Sequence, residues 1–219
     1  MPMISLTAAD GHRLTAYRAG PQNAARALVV VQEIFGVNRH MRHVCESFAA
    51  EGYAVIAPAL FDRVAPGIEL GYEAADVAQG RELRGKINDG LTVLDILAAA
   101  AALPRGVKRG IVGYCWGGTV TWYGATRTSA FSAASGWYGG GIAAAKDETP
   151  RCPVQLHFGE TDASIPMTDV AAVRAAQPGV EVHVYGGGHG FGCDERGSYV
   201  KADYDLAQKR TLEFFAKHL

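Results

Sequence analysis

Short apolar runs alternate with helix-spaced stretches along most of the chain. Residues 27–31 are continuously apolar and read as a buried strand. Over residues 39–51 the apolar positions Met41, Val44, Phe48 and Ala49 fall on one side of a helix, which Gly52 ends. Residues 53–57 give the next strand, stopped by Pro58. After a polar, Gly-containing stretch at 62–71, a helical region is best defined over 88–102, with Leu91, Leu94, Ile96 and Leu97 as core candidates. The pattern then repeats: a strand at 110–114, a helix at 117–125, strands at 131–138 and 154–158, a helix at 169–176, a strand at 180–185 and a closing helix at 203–218. This alternation predicts an α/β fold, a mostly parallel central sheet with helices on both faces. No repeat or linker divides the chain, so a single domain over 1–219 is expected. In such sheets the ligand site lies beyond the carboxyl ends of the strands.

Composition narrows the function classes. A net charge of −1 offers no basic footprint for nucleic acid or for an anionic membrane. No apolar run approaches the length that spans a bilayer, and residues 1–10 lack the basic start and apolar stretch of a signal peptide. Four cysteines, at 45, 115, 152 and 193, form no CxxC pair and impose no disulfide framework, which suits free thiols in the cytoplasm. His40, His43 and Cys45 cluster at a helix start without a fourth ligand, so no metal and no cofactor are expected.

Candidate chemistry sits where the topology places it. Gly113-Tyr114-Cys115-Trp116-Gly117 follows an apolar strand and precedes a helix. With cysteine in place of serine it has the form of the nucleophile elbow of α/β-hydrolases, whose flanking glycines let backbone pass close to a strained turn. The bland alternative is a small cysteine packed on a tight turn. An acid and a histidine follow in the order that fold requires: Asp162 after the strand at 154–158, and His189 after the strand at 180–185. An imidazole in reach can take the thiol proton, and a carboxylate behind it fixes the tautomer. Glu160 competes with Asp162 for the acid role. In this fold the oxyanion donors are the amide after the nucleophile, here Trp116, and one from the loop 32–38, here Ile34.

With these motifs in place, Gln32-Glu33-Ile34-Phe35-Gly36-Val37-Asn38, Gly113-Tyr114-Cys115-Trp116-Gly117-Gly118, the Asp162 loop and Gly188-His189-Gly190-Phe191, the chain resembles the dienelactone hydrolase family over nearly its whole length. The resemblance implies a Cys115–Asp162–His189 triad, and a glutamate, Glu33, that holds the resting thiol until substrate displaces it. Family members bind a substrate carboxylate with two arginines and a tyrosine. Arg81 matches the first arginine, the tyrosine position is Gly85, and the second arginine position is Cys193, with Arg196 further along as a substitute. Phe35, Tyr138 and Phe191, with Trp116 and Trp137, suggest an aromatic pocket, although core packing would use the same residues. The expected activity is hydrolysis of a small carboxylic ester or lactone by a monomer or weak homo-oligomer. The alternatives are a thioesterase or other thiol-dependent hydrolase, and a non-catalytic binding module.

Overall fold

In the computed structural model, which describes residues 3–219, eight strands form one sheet. Two of them, β1 (Met3–Thr7) and β2 (Arg13–Ala19), make an antiparallel hairpin, and β2 pairs antiparallel with β4 (Ala54–Pro58). The parallel part continues through β3 (Arg26–Val31), β5 (Lys108–Tyr114), β6 (Ala133–Trp137), β7 (Val154–Gly159) and β8 (Glu181–Tyr185). The order is β1-β2-β4-β3-β5-β6-β7-β8. Six α-helices complete the α/β-hydrolase architecture: α1 (Arg39–Ala50), α2 (Ala74–Gly85), α3 (Asp89–Ala101), α4 (Trp116–Arg127), α5 (Met167–Ala176) and α6 (Lys201–His218). No helix among the described residues is long and apolar enough to cross a membrane. All four cysteines are free.

Local chemistry explains the boundaries. The strands β4, β6 and β7 are buried at every position; β4 is an unbroken apolar run, whereas β6 and β7 also bury Ser135, Gln155 and His157. Helix α1 starts where the Asn38 side chain accepts a bond from the Met41 amide at 3.1 Å, and it buries the expected Met41, Val44 and Phe48. Asn38 and Asn88 act alike: the Asn88 side-chain Oδ1 accepts from the Gly90 amide at 2.7 Å and opens α3.

Two expectations need correction. In α3 the buried face carries Thr92, Val93, Ile96, Ala99 and Ala100, while Leu91 is 37% exposed. This stretch is apolar almost all round, so spacing alone does not select the buried side; contact with α4 does. A side chain at Gly124 of α4 would crowd Ile96, which is how closely the two helices meet. The hairpin β1–β2 has no counterpart in the sequence reading. Of its strand residues only Leu6, Leu14, Ala16, Tyr17 and Ala19 are buried, so its apolar signal is weak. It is held by its turn, with Gly11 at φ 83°, and by Asp62, which accepts from the Thr15 amide at 2.7 Å. The hairpin turn is also tied to α3. Arg63 makes two 2.7 Å bonds to Asp95, which is wholly buried, and a 2.8 Å bond to Asp10.

Candidate active site

The nucleophile candidate sits on the turn from β5 into α4. Cys115 has φ 55° and ψ −119°, a strained conformation for a non-glycine residue that costs about 1–3 kcal/mol and recurs at functional sites. The turn survives because its neighbours have no side chains. A Cβ at Gly113 would collide with the Gly117 carbonyl, and one at Gly117 with the Val31 carbonyl. The Cys115 amide is anchored to the Trp137 carbonyl at 3.0 Å. The sulfur stays partly exposed at the amino end of α4, where the helix dipole favours negative charge.

The acid and the histidine arrive on adjacent loops. Thr161 donates its amide to Gly187, and Glu160 donates to Tyr185, so the loop after β7 is stitched to the loop after β8. His189 Nδ1 lies 2.7 Å from Asp162 Oδ2, and His189 Nε2 lies 3.1 Å from Cys115 Sγ. Asp162 is buried and also accepts from the Ser164 amide at 2.8 Å. Glu160, the competing acid, is exposed and takes no part. Burial pulls His189 towards its neutral form, but the hydrogen bonds to Asp162 and Cys115, and their charges, outweigh it and raise its pKa to about 10. A histidine whose folded pKa exceeds its unfolded value of 6.5 gives stability that is full below pH 6.5 and is lost as pH climbs through about 10. The melting-temperature advantage of wild type over His189→Gln is therefore expected to shrink from pH 6 to pH 10. A constant advantage across that range would show that His189 does not titrate this way.

The loop 32–38 is held beside Cys115 by the Gln32 side chain and by its own backbone. Gln32 accepts from the Leu60 amide at 3.0 Å. Gly36 adopts φ 80°, where a Cβ would strike the Ile68 carbonyl, and Leu70 donates to Phe35 at 2.9 Å. Ile34 and Trp116, the two oxyanion candidates, line the same cavity as Cys115 and His189. That cavity has a volume of about 430 Å³ and includes Arg81, Arg84, Arg196, Tyr123 and Ser164 among its walls. Arg81 reaches it from α2, whose Gly80 packs so closely on the Ile34 carbonyl that a Cβ there would overlap it.

Several expected site residues lie elsewhere. Phe35, Tyr138 and Phe191 do not line the cavity and are at most 1% exposed. Phe191 stacks on Trp137, Phe35 packs on Tyr72, and the Tyr138 ring lies edge-on to His189. These aromatics are core that backs the site. Glu33 is buried but makes no hydrogen bond to Cys115; the sulfur is engaged with His189 instead. The ionic neighbour of Glu33 is Arg196, at 3.6 Å. The thiol is thus already joined to its base, in place of the expected thiol parked on Glu33. Arg196 reaches the cavity through two consecutive turns, with Cys193 donating to Gly190 and Arg196 donating to Cys193. Gly190, at φ 78°, leaves room for it, since a Cβ there would meet the guanidinium. Tyr123 and Ser164 were not anticipated. Tyr123 donates to Asp89, which also binds Arg84 at 2.6 Å, and Arg84 lies over the Trp116 ring.

The profile of the Dienelactone hydrolase family matches residues 14–219. The chain belongs to the dienelactone hydrolase family. Among its relatives are a Synechocystis protein provisionally named a carboxymethylenebutenolidase, 36% identical over 83% of this chain and 82% of that protein, and the carboxymethylenebutenolidase of Pseudomonas putida, 31% identical over 97% and 95%. A crystal structure from Klebsiella pneumoniae, provisionally described as a dienelactone hydrolase, superposes with a TM-score of 0.82 at 31% identity, covering 99% of this chain and all of that one. As a member of the dienelactone hydrolase family, the chain is a carboxylic ester or lactone hydrolase.

Proposed function

We propose that this hydrolase cleaves small esters or lactones that carry a carboxylate, through an acyl-enzyme on Cys115. The observation that carries the reading is the line Asp162–His189–Cys115 opening into a cavity walled by three arginines. Cys115 Sγ attacks the carbonyl carbon while His189 holds the thiol proton, and the Trp116 and Ile34 amides stabilise the oxyanion. His189 then passes that proton to the departing alkoxide or enolate oxygen. In the second half, water attacks the thioester, His189 takes the water proton and returns it to sulfur, and the acid product leaves. Asp162 fixes the tautomer of His189 throughout.

Substrate choice follows from the guanidinium groups. Arg84 is committed to Asp89 and to the Trp116 ring. Arg81 makes no ion pair among the described residues and is exposed at the mouth. Arg196 is held only at 3.6 Å from Glu33. Arg81 and Arg196 are therefore the pair free to grip a carboxylate, Arg196 doing so from outside the position where the family carries its second arginine. A charge-assisted hydrogen bond in a partly desolvated site contributes about 1.5–3 kcal/mol, which is roughly 10- to 150-fold in affinity. Arg81→Gln and Arg196→Gln should each raise KM for an anionic dienelactone by at least about tenfold and leave KM for a neutral aryl acetate nearly unchanged. Equal effects on both substrates would overturn the anionic preference. Loss of kcat on both would instead place the arginines in the chemistry.

A further inference from the structure

Behind the catalytic loop lies a second group of chemically competent side chains. Glu33, His40 and Cys193 are all buried, and each presents a ligand atom within 4.8 Å of the other two. It is the one such His/Cys/Asp/Glu group among the described residues. The triad and the proposed carboxylate grip leave His40 and Cys193 unused. We propose that Glu33, His40 and Cys193 hold a borderline-soft divalent cation, with zinc the best match to an oxygen, nitrogen and sulfur ligand set.

Several independent features point the same way. The first is an unmet need: both Glu33 carboxylate oxygens are buried and accept no hydrogen bond, and the Arg196 guanidinium stands off at 3.6 Å. A carboxylate taken from water without hydrogen bonds is costly, and a cation coordinated by it removes that cost. The second is orientation. His40 Nδ1 is fixed by Asp194 Oδ1 at 2.9 Å, which directs the ring proton to Nδ1 and leaves Nε2 as the free ligand atom. A carboxylate behind a histidine is the usual support of a zinc-ligating imidazole. The third is charge. As the metal–sulfur bond forms, Cys193 releases its proton to solvent, and thiolate plus carboxylate then balance a divalent cation. Mixed cysteine, histidine and carboxylate sets with a fourth position left open are within the zinc repertoire. The fourth is access. A cavity of about 90 Å³ reaches the group at His40, with His43, Gly192, Asp194 and Tyr204 among its other walls. The metal would share Glu33 with Arg196, and so lie one side chain from the catalytic cavity.

Cobalt is the informative probe, because a Co²⁺–thiolate bond absorbs in the near ultraviolet and zinc displaces cobalt from such a site. Cys115→Ala is the working background, since it removes the catalytic thiol as a rival ligand. After chelator treatment and desalting, this protein should bind one equivalent of Co²⁺ with a charge-transfer band, lose the band on adding Zn²⁺, and melt at higher temperature with Zn²⁺. Adding Cys193→Ala should abolish the band, and adding His40→Asn should weaken binding at least about tenfold. No band and no thermal shift in the Cys115→Ala protein would overturn the proposal, whatever the further variants do. A band that survives both Cys193→Ala and His40→Asn would overturn it as well.

Discussion

Cys115→Ala should lower kcat for every ester or lactone substrate by about 10⁴-fold or more while moving KM little. The thiol is the one nucleophile hydrogen-bonded to His189 among the described residues, with Nε2 3.1 Å from the sulfur, and an alanine leaves that imidazole water to activate. The residual rate would come from the oxyanion amides and from binding. The variant is also a fair control on folding. Alanine meets the same positive φ as cysteine does, 55°, so the strain of the turn is retained and the melting temperature should stay close to wild type. Steady-state kinetics on a dienelactone and on a short aryl ester check the rate, and mass spectrometry with a slowly released acyl group should find the adduct on wild type alone. Comparable turnover by the two proteins would remove Cys115 from the chemistry.

The largest stability effect should come from a site remote from catalysis. Asp95 is wholly buried on α3, and burial pushes its carboxyl pKa up, with the hydrogen bonds and charge of Arg63 opposing the rise. Arg63 is itself mostly buried and grips both Asp95 oxygens at 2.7 Å. Arg63→Ala strands that carboxylate and should cost about 3–5 kcal/mol. For a chain of this size that is a fall in Tm of roughly 6–20 °C. The double change Arg63→Ala with Asp95→Ala should cost less than Arg63→Ala alone, because no buried charge is left over. Thermal unfolding of the three proteins checks both statements, and an additive double variant would rule out coupling. Catalysis in the surviving folded fraction should be unaffected.

The triad was legible because its chemistry demands glycines at fixed spacing and the fold demands an order. Gly113 and Gly117 are required by carbonyls that a side chain would strike, so they mark Cys115 in any sequence with this turn. Asp162 and His189 were found by their places after β7 and β8. The pocket walls were less legible, because neighbours along a loop face different ways. Ile34 looks into the cavity while Phe35 packs under Tyr72, and Tyr138, although beside His189, points into the core. Nothing in the local sequence distinguishes those directions. The arginines show the opposite case. Arg81 was found through the resemblance, whereas Arg196 reaches the cavity only through the tertiary turns from Gly190 to Arg196. The meeting of His40 with Glu33 and Cys193 was invisible for a related reason. His40 has nearer sequence companions in His43 and Cys45, but α1 turns His43 outward and Cys45 into the core. The edge hairpin was missed because fewer than half of its strand positions are buried.

The contact of Gly80 with the Ile34 carbonyl joins two functions that are usually discussed apart. The same turn of α2 that seats Gly80 against the oxyanion loop also presents Arg81 to the cavity mouth. Any rigid shift of this helix that repositions the guanidinium must also press on, or release, the backbone proposed to stabilise the developing oxyanion. On the proposed reading, selectivity for the substrate's distal carboxylate and rate at its carbonyl are therefore set by one lever. A laboratory lineage selected for bulkier or uncharged esters should accumulate its changes beyond Arg81, on the outer turns of α2, and keep residue 80 as glycine.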